Sequence, residues 1–184
     1  MSMTSPQQSA EVKKINHMLT IPARLLIAVL ASCLLALPTS ADAGEKKKLT
    51  YGKTSRTTIS EIKSTSGNGR EFVQGVYSDA VKSSDPDWNG IEERVFDQTE
   101  GVNGTGTHRG TAVDIFRNGD QLFQNYIGSH KTTVTGDSWE TAYQGTAEFV
   151  GGTGKYKNAK GKLTYRGKFT PQGIEEEDIV ELEY

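Results

Sequence analysis

The chain has 184 residues, and its 21 Lys and Arg against 23 Asp and Glu give a formal net charge of −2. A balance so close to neutral offers no bulk attraction for nucleic acid, so no nucleic-acid partner is expected. The single cysteine, Cys33, excludes an intrachain disulfide framework. No motif of the sequence requires a cofactor, and none is predicted.

The first 43 residues have the composition of a secretory signal peptide. An apolar run, Leu25–Leu37, is followed by a small-residue A-x-A site that ends at Ala43. This order predicts cleavage after Ala43, because signal peptidases act on such sites. We therefore expect an exported protein, secreted or periplasmic, with one domain over residues 44–184. The basic residues that precede the run are Lys13, Lys14 and Arg24.

Two alternatives stay open for this segment. Translation can start at Met1 or at Met18, since a complete signal pattern also follows Met18. Residues 30–33 resemble a lipobox, in which Cys33 would be lipidated. The apolar residues that follow Cys33 are unusual at the start of a tethered linker, so cleavage after Ala43 is the favoured prediction.

Residues 44–184 carry β signals throughout, because clusters of Gly, Asn and Asp separate short stretches rich in Val, Ile, Thr, Tyr and Phe. The segment 44–53 is expected to be a solvated leader. Asn118-Gly119 predicts a two-residue type I′ hairpin turn. We predict an all-β fold, a single antiparallel barrel of about eight strands around a central cavity, with a flat sandwich as the alternative. The predicted strands are Thr57–Lys63, Glu71–Val81, Ile91–Gln98, Arg109–Arg117, Asp120–Ile127, Trp139–Val150, Gly161–Phe169 and Ile179–Glu183.

Alternation along the later strands predicts one dry face and one wet face. From 161 to 169, Leu163, Tyr165 and Phe169 fall on one side, and the Lys and Arg residues fall on the other. Such a basic face argues against a lipid-facing band, so no membrane span is expected in this part of the chain. Glycines inside the strands (Gly75, Gly145, Gly167) indicate points where a barrel strand bends.

Five aromatic residues are candidates to line the cavity, because each ring is apolar and carries a polar atom. Core filling is the alternative interpretation for the same rings. The candidates are Tyr77, Tyr126, Trp139, Tyr143 and Tyr165.

The stretch "FVGGTGKYKNAKG", residues 149–161, places glycines before a lysine as a phosphate loop does. However, Tyr156 stands where a phosphate loop has Ser or Thr, and a strand follows instead of a helix. We therefore interpret Gly151, Gly152, Gly154 and Tyr156 as a structural corner between two strands.

This stretch, with the residues just before it, resembles the strand–corner–strand signature of the allene oxide cyclase and dirigent barrel group, most closely its secreted bacterial members. The resemblance covers residues 145–161. It implies an eight-stranded antiparallel barrel with a central cavity, often assembled as a homotrimer. It implies no activity for this chain, because the residues that match are those of the corner.

Few residues combine into a site for chemistry. Asp85, Asp87 and Asn89 match the first half of a calcium loop, but position 12 is Phe96, so a polar turn is the favoured interpretation. His108 and His130 lack the spacing of a zinc site, and His108 is expected to be a surface or turn residue.

Asp114 lies between apolar residues in the middle of a predicted strand and is a candidate pocket acid. The Asn118-Gly119 turn would place it on one face with Phe123 and Asn125. The alternative, that this face is the solvent side, is slightly favoured. Arg94 is the candidate partner of Asp114.

Three functions follow as hypotheses. The first is an exported barrel that binds a small, largely apolar organic ligand in its interior. The second is an isomerase or cyclase of the allene oxide cyclase or dirigent type that uses Asp114 and Arg94. The third is a structural trimeric interaction module.

Overall fold

A computed structural model describes residues 44–184, which form eight antiparallel strands in one closed barrel. Each strand pairs with the next along the chain, and β1 also pairs with β8, so the sheet has no free edge. The predicted all-β barrel is confirmed. The strands are β1 (Lys46–Thr65), β2 (Arg70–Ser83), β3 (Glu92–Val102), β4 (Thr105–Ile115), β5 (Gln121–Thr135), β6 (Ser138–Gly152), β7 (Lys160–Thr170) and β8 (Gly173–Glu183).

Strand β1 closes the barrel. Its first residues, Lys46–Tyr51, pair with β8, and its remainder pairs with β2 across two register shifts, at Lys53/Ser55 and Thr58/Ser60. Register shifts of this kind bend a strand and increase its twist, which lets one strand serve two partners. The expected solvated leader over 44–53 is therefore wrong, because this segment supplies backbone hydrogen bonds that close the sheet.

The side-chain alternation predicted for the later strands is confirmed. Phe149 on β6, Leu163 on β7 and Val180 on β8 are all buried inside the barrel. The lysines and Arg166 of β7 lie on the outside, where they form ion pairs with β8. Period-two alternation places apolar side chains toward the interior and charged ones toward water.

The hairpin between β4 and β5 differs from the prediction. The backbone N–H of Phe116 donates to the carbonyl of Asp120, which encloses a loop of three residues, 117–119. Only Gly119 in this loop has a positive φ, 88°, whereas a type I′ turn requires two such residues. The longer loop changes the register by one, so Asp114 pairs with Leu122 and not with Phe123.

One end of the barrel, which we call the closed end, is filled by an aromatic core. The loop 84–91 inserts Trp88, which stacks on Tyr51 with ring centroids 5.3 Å apart and meets Phe116 edge-on at 5.2 Å. Tyr156 stacks on Phe116 at 4.5 Å. The first and last parts of the described segment also meet here, because Glu45 and Tyr184 exchange backbone hydrogen bonds.

The predicted corner after β6 also lies at the closed end. Gly151 and Gly154 have φ of 106° and 55°, values that side chains other than glycine rarely adopt. A Cβ at Gly152 would strike the carbonyl oxygen of Gln121. The fully buried Tyr156 ends a short 3₁₀ turn, Gly154–Tyr156.

The predicted signal peptide, the alternative start at Met18 and the lipobox at Cys33 lie outside the described residues. Within 44–184, no helix has the length and apolar character needed to cross a membrane.

Candidate binding cavity

A cavity of about 480 Å³ occupies the barrel between the closed end and the hairpins at the other end. Tyr51 belongs both to its lining and to the aromatic stack of the closed end. Trp139, which is 41% exposed, lies where the cavity meets solvent. All five aromatic candidates from the sequence contribute to the lining: Tyr77, Tyr126, Trp139, Tyr143 and Tyr165.

Inward-facing glycines make room for these rings. A Cβ at Gly145 would overlap the Tyr165 ring, and one at Gly167 would approach the Tyr143 ring. Gly75 lies in the same way beneath Tyr77. These three glycines therefore provide space for tyrosine rings, and the bending that the sequence suggested for them stays a prediction.

A cluster of charged side chains forms the part of the cavity nearest the closed end. The buried Lys53 ammonium lies 2.8 Å from Glu176, 3.0 Å from Glu93 and 3.6 Å from Asp79. Arg56 donates two hydrogen bonds to Asp79, at 2.8 Å and 2.6 Å. Both cations are therefore held by carboxylates of the barrel itself.

Asp178 lies two residues from Glu176 on β8, and both point inward. Burial, followed by the charge of Glu176, raises the pKa of Asp178 well above its usual range. Burial also tends to raise the pKa of Glu176, but the charge and hydrogen bonding of Lys53 outweigh it, and the net pKa is lowered. When two neighbouring carboxyl groups have pKa values shifted in opposite directions, one is protonated and the other is ionised. Here Asp178 is the protonated acid and Glu176 is the carboxylate.

Tyrosines and histidines elsewhere in the cavity lining bond to one another or to acids. Tyr126 donates to Asp97 at 2.6 Å, and His108 Nε2 lies 2.7 Å from the hydroxyl of Tyr165. His130 also lines the cavity. Desolvation by burial lowers the pKa of both histidines, which favours their neutral forms. The expectation that His108 is a surface or turn residue is wrong, because it lies in β4 and lines the cavity.

Asp114 is fully buried inside the barrel, so the slightly favoured solvent-side interpretation is wrong. The nearest amide is that of Gln124 on the adjacent strand β5, whose Nε2 lies 3.5 Å from the Oδ2 of Asp114. Arg94 cannot be its partner, because Arg94 lies on the outer face and pairs with Glu92. The three-residue turn explains the error for Asp114, because it changes the residues that face Asp114 on β5. Arg94 points outward because the inward-facing side chains of β3 belong to its odd-numbered residues.

Burial, with the charge of Glu93 as the next cause, raises the pKa of Asp114 well above its usual range. The folded protein then retains a proton that the unfolded chain releases above about pH 4. The contribution of Asp114 to the free energy of unfolding is therefore present below about pH 4 and is lost as the pH rises toward the raised pKa of the folded state. We expect Asp114→Asn, which cannot ionise, to raise the free energy of unfolding at pH 7.5 by roughly 1–3 kcal/mol. The gain should vanish near pH 4.

Urea unfolding from pH 4 to pH 8 measures this difference. The exposed turn residue Asp137 supplies the matched control, and Asp137→Asn should leave the free energy of unfolding within about 0.5 kcal/mol at every pH. A destabilised Asp114→Asn protein at pH 7.5 would show that the ionised carboxylate is the form the fold prefers.

The candidate calcium residues lie in the loop 84–91 and bond to protein groups. Asp85 pairs with Lys47 at 2.8 Å, Asp87 with Lys155 at 3.3 Å, and Asn89 accepts the backbone N–H of Ser83. In the part of the chain that is described, no group of three His, Cys, Asp or Glu side chains is arranged to hold a metal ion. The loop acts as the polar turn that carries Trp88 into the barrel end.

The sequence reasoning missed the charged cluster. Glu176 and Asp178 share the inward face with Val180 and Leu182, so extending the alternation of β8 backward would have placed both carboxyls inside. For Lys53 no such signal exists, because it lies in the segment that was expected to be solvated.

No known protein-family model matches this chain, and no curated protein matches it either.

Proposed function

We propose that this protein is an exported binding protein that holds a small organic molecule, with a largely apolar body, inside its barrel. The observation that carries the proposal is the 480 Å³ cavity with aromatic walls. Ligand pockets in proteins are concave and combine apolar and aromatic side chains with polar groups that converge on the ligand. This cavity combines seven aromatic side chains with a cluster of charged ones. The N-terminal signal pattern supports export, and the resemblance at residues 145–161 supports a ligand-binding barrel.

Two positions on β2 allow a matched test. Val73 lines the cavity, whereas Val76 lies in a groove on the outer surface of the barrel. We expect the neutral fluorophore N-phenyl-1-naphthylamine to bind the wild-type protein and Val76→Trp with similar affinity. Val73→Trp should weaken binding at least about tenfold, because the indole occupies space in the cavity.

Emission of the fluorophore during titration measures binding in all three proteins. Equal affinity of Val73→Trp and Val76→Trp would show that the fluorophore binds elsewhere, and absence of binding to the wild-type protein would refute the proposal. Mass spectrometry of molecules that the protein retains from lipid and phenolic extracts would then identify natural ligands.

A second candidate function, an isomerase or cyclase, is favoured by the Glu176 and Asp178 pair. A carboxylate beside a protonated acid in a buried cavity provides a base and an acid within one site. Incubation of a retained ligand with the protein in D₂O would reveal turnover as deuterium incorporation, and Glu176→Gln should abolish it. The homotrimer implied by the resemblance stays a prediction, which sedimentation would test.

A further inference from the structure

The interior of the barrel holds many more acids than bases. Only two cations, Lys53 and Arg56, line the cavity in the described part of the chain. If three of the seven carboxyl groups in or beside the cavity retain protons, the other four still carry negative charges against the two positive ones. The seven carboxyl groups that line the cavity or lie buried beside it inside the barrel are Glu61, Asp79, Glu93, Asp97, Asp114, Glu176 and Asp178.

An anionic ligand would find no free cation in this cavity. Lys53 lies within 3.6 Å of three carboxylates, and Arg56 donates two hydrogen bonds to Asp79. An anion at either cation would lie beside carboxylates that already balance the positive charge, or would displace one of them and leave it buried without its partner. The charge pattern therefore selects against carboxylate, phosphate and sulfate groups.

Asp178 has the opposite character. It is only 1% exposed and lines the cavity, yet no N–H or hydroxyl group of residues 44–184 donates a hydrogen bond to either of its oxygens. A buried carboxyl of this kind is a ready acceptor for the N–H groups of a ligand.

The aromatic walls favour a positive charge as well. The Arg56 guanidinium already lies over the rings of Tyr77 and Phe169, 4.7 Å and 4.9 Å from their centroids. The faces of aromatic rings attract cations electrostatically, and the attraction increases where water is excluded. Tyr143 and Tyr165 line the same space as Asp178.

We propose that the ligand is an organic cation, a protonated amine with an aromatic or aliphatic body, whose N–H groups bond to Asp178 while its body lies among the tyrosine rings. This inference rests on the proposed binding function and specifies its ligand class. The ammonium would take the place of the proton that Asp178 holds beside Glu176, and that proton would leave to water. Its N–H groups would then supply the hydrogen bonds that the Asp178 oxygens lack, and its positive charge would offset part of the negative charge in the cavity.

Three naphthalene probes of similar size and different charge test it. At pH 7, 1-naphthylmethylamine is a cation, 1-naphthylmethanol is neutral and the carboxylate of 1-naphthaleneacetic acid is an anion. By isothermal titration calorimetry we expect the amine to bind at least about tenfold more tightly than the alcohol, and the anion to bind most weakly. Equal binding of amine and alcohol, or tightest binding of the anion, would overturn the inference while leaving the proposed binding function intact.

Two variants locate the preference. Asp178→Asn preserves the shape of the side chain and should bring the affinities for amine and alcohol to within about threefold, with the alcohol unaffected. Glu175→Gln, a control on the outer face of the same strand, should retain the full preference, since its side chain is 78% exposed. An amine preference that survives Asp178→Asn would refute the role of Asp178, and failure of all three probes to bind the wild-type protein would refute the binding function as well.

Discussion

Replacing Lys53 with Met is expected to lower the free energy of unfolding at pH 7.5 by about 3–5 kcal/mol, because removing one partner of a buried ion pair leaves unpaired charge. The ammonium contacts Glu176, Glu93 and Asp79 in a space from which water is largely excluded. Methionine fills a similar volume, so the loss would report charge and not packing. Urea unfolding followed by circular dichroism measures it.

The loss should shrink as pH falls. Lys53 is the main group that lowers the pKa of Glu176, so without it Glu176 binds a proton at higher pH and ceases to be an unpaired charge. At pH 5 we therefore expect a smaller difference between Lys53→Met and wild type than at pH 7.5. The double variant Lys53→Met with Glu176→Gln should recover part of the stability at pH 7.5, since it removes the most closely paired carboxylate.

Lys48 provides the matched control on the same strand. Its side chain is 71% exposed and pairs with Glu181 at 3.1 Å on the outer surface. Exposed ion pairs contribute about 0–1 kcal/mol, so Lys48→Met should have little effect. A Lys53→Met protein as stable as Lys48→Met would show that the cluster does not depend on its lysine.

The fold was predictable from local patterns because β6, β7 and β8 bury every second side chain in one shared core. Their alternation needs no knowledge of partners, as Phe149, Leu163 and Val180 show. The start of β1 was not predictable in this way. Its lysine run resembles a solvated tail, and only pairing with the last strand makes it part of the sheet.

The aromatic walls of the candidate site could also be predicted, but its charges could not. Lys53 and Arg56 both point inward although one has an odd residue number and the other an even one. The register shift between Lys53 and Ser55 changes which residues of β1 face the interior. A strict alternation would assign them to opposite faces. Asp114 was placed among the wrong neighbours for a related reason, since a turn longer by one residue reversed the parity of the facing strand.

The core of the closed end gives the second large effect. Trp88 is fully buried, and its ring packs against Tyr51 and Phe116 at centroid distances of 5.3 Å and 5.2 Å. We expect Trp88→Ala to lower the free energy of unfolding by about 3–5 kcal/mol, since it removes a large buried ring and leaves a cavity. Chemical denaturation measures the loss, and near-ultraviolet circular dichroism reports the disturbed aromatic packing.

The second tryptophan separates this effect from the mere loss of an indole. Trp139 is 41% exposed at the cavity entrance, so Trp139→Ala should cost less than Trp88→Ala, about 1–2 kcal/mol. Trp88→Phe keeps an aromatic face against Tyr51 and should lie between wild type and Trp88→Ala. Because Tyr51 also lines the cavity, Trp88→Ala should weaken binding of N-phenyl-1-naphthylamine even under conditions where the protein remains folded. Equal stability losses for Trp88→Ala and Trp139→Ala would show that the loop 84–91 does not anchor the barrel end.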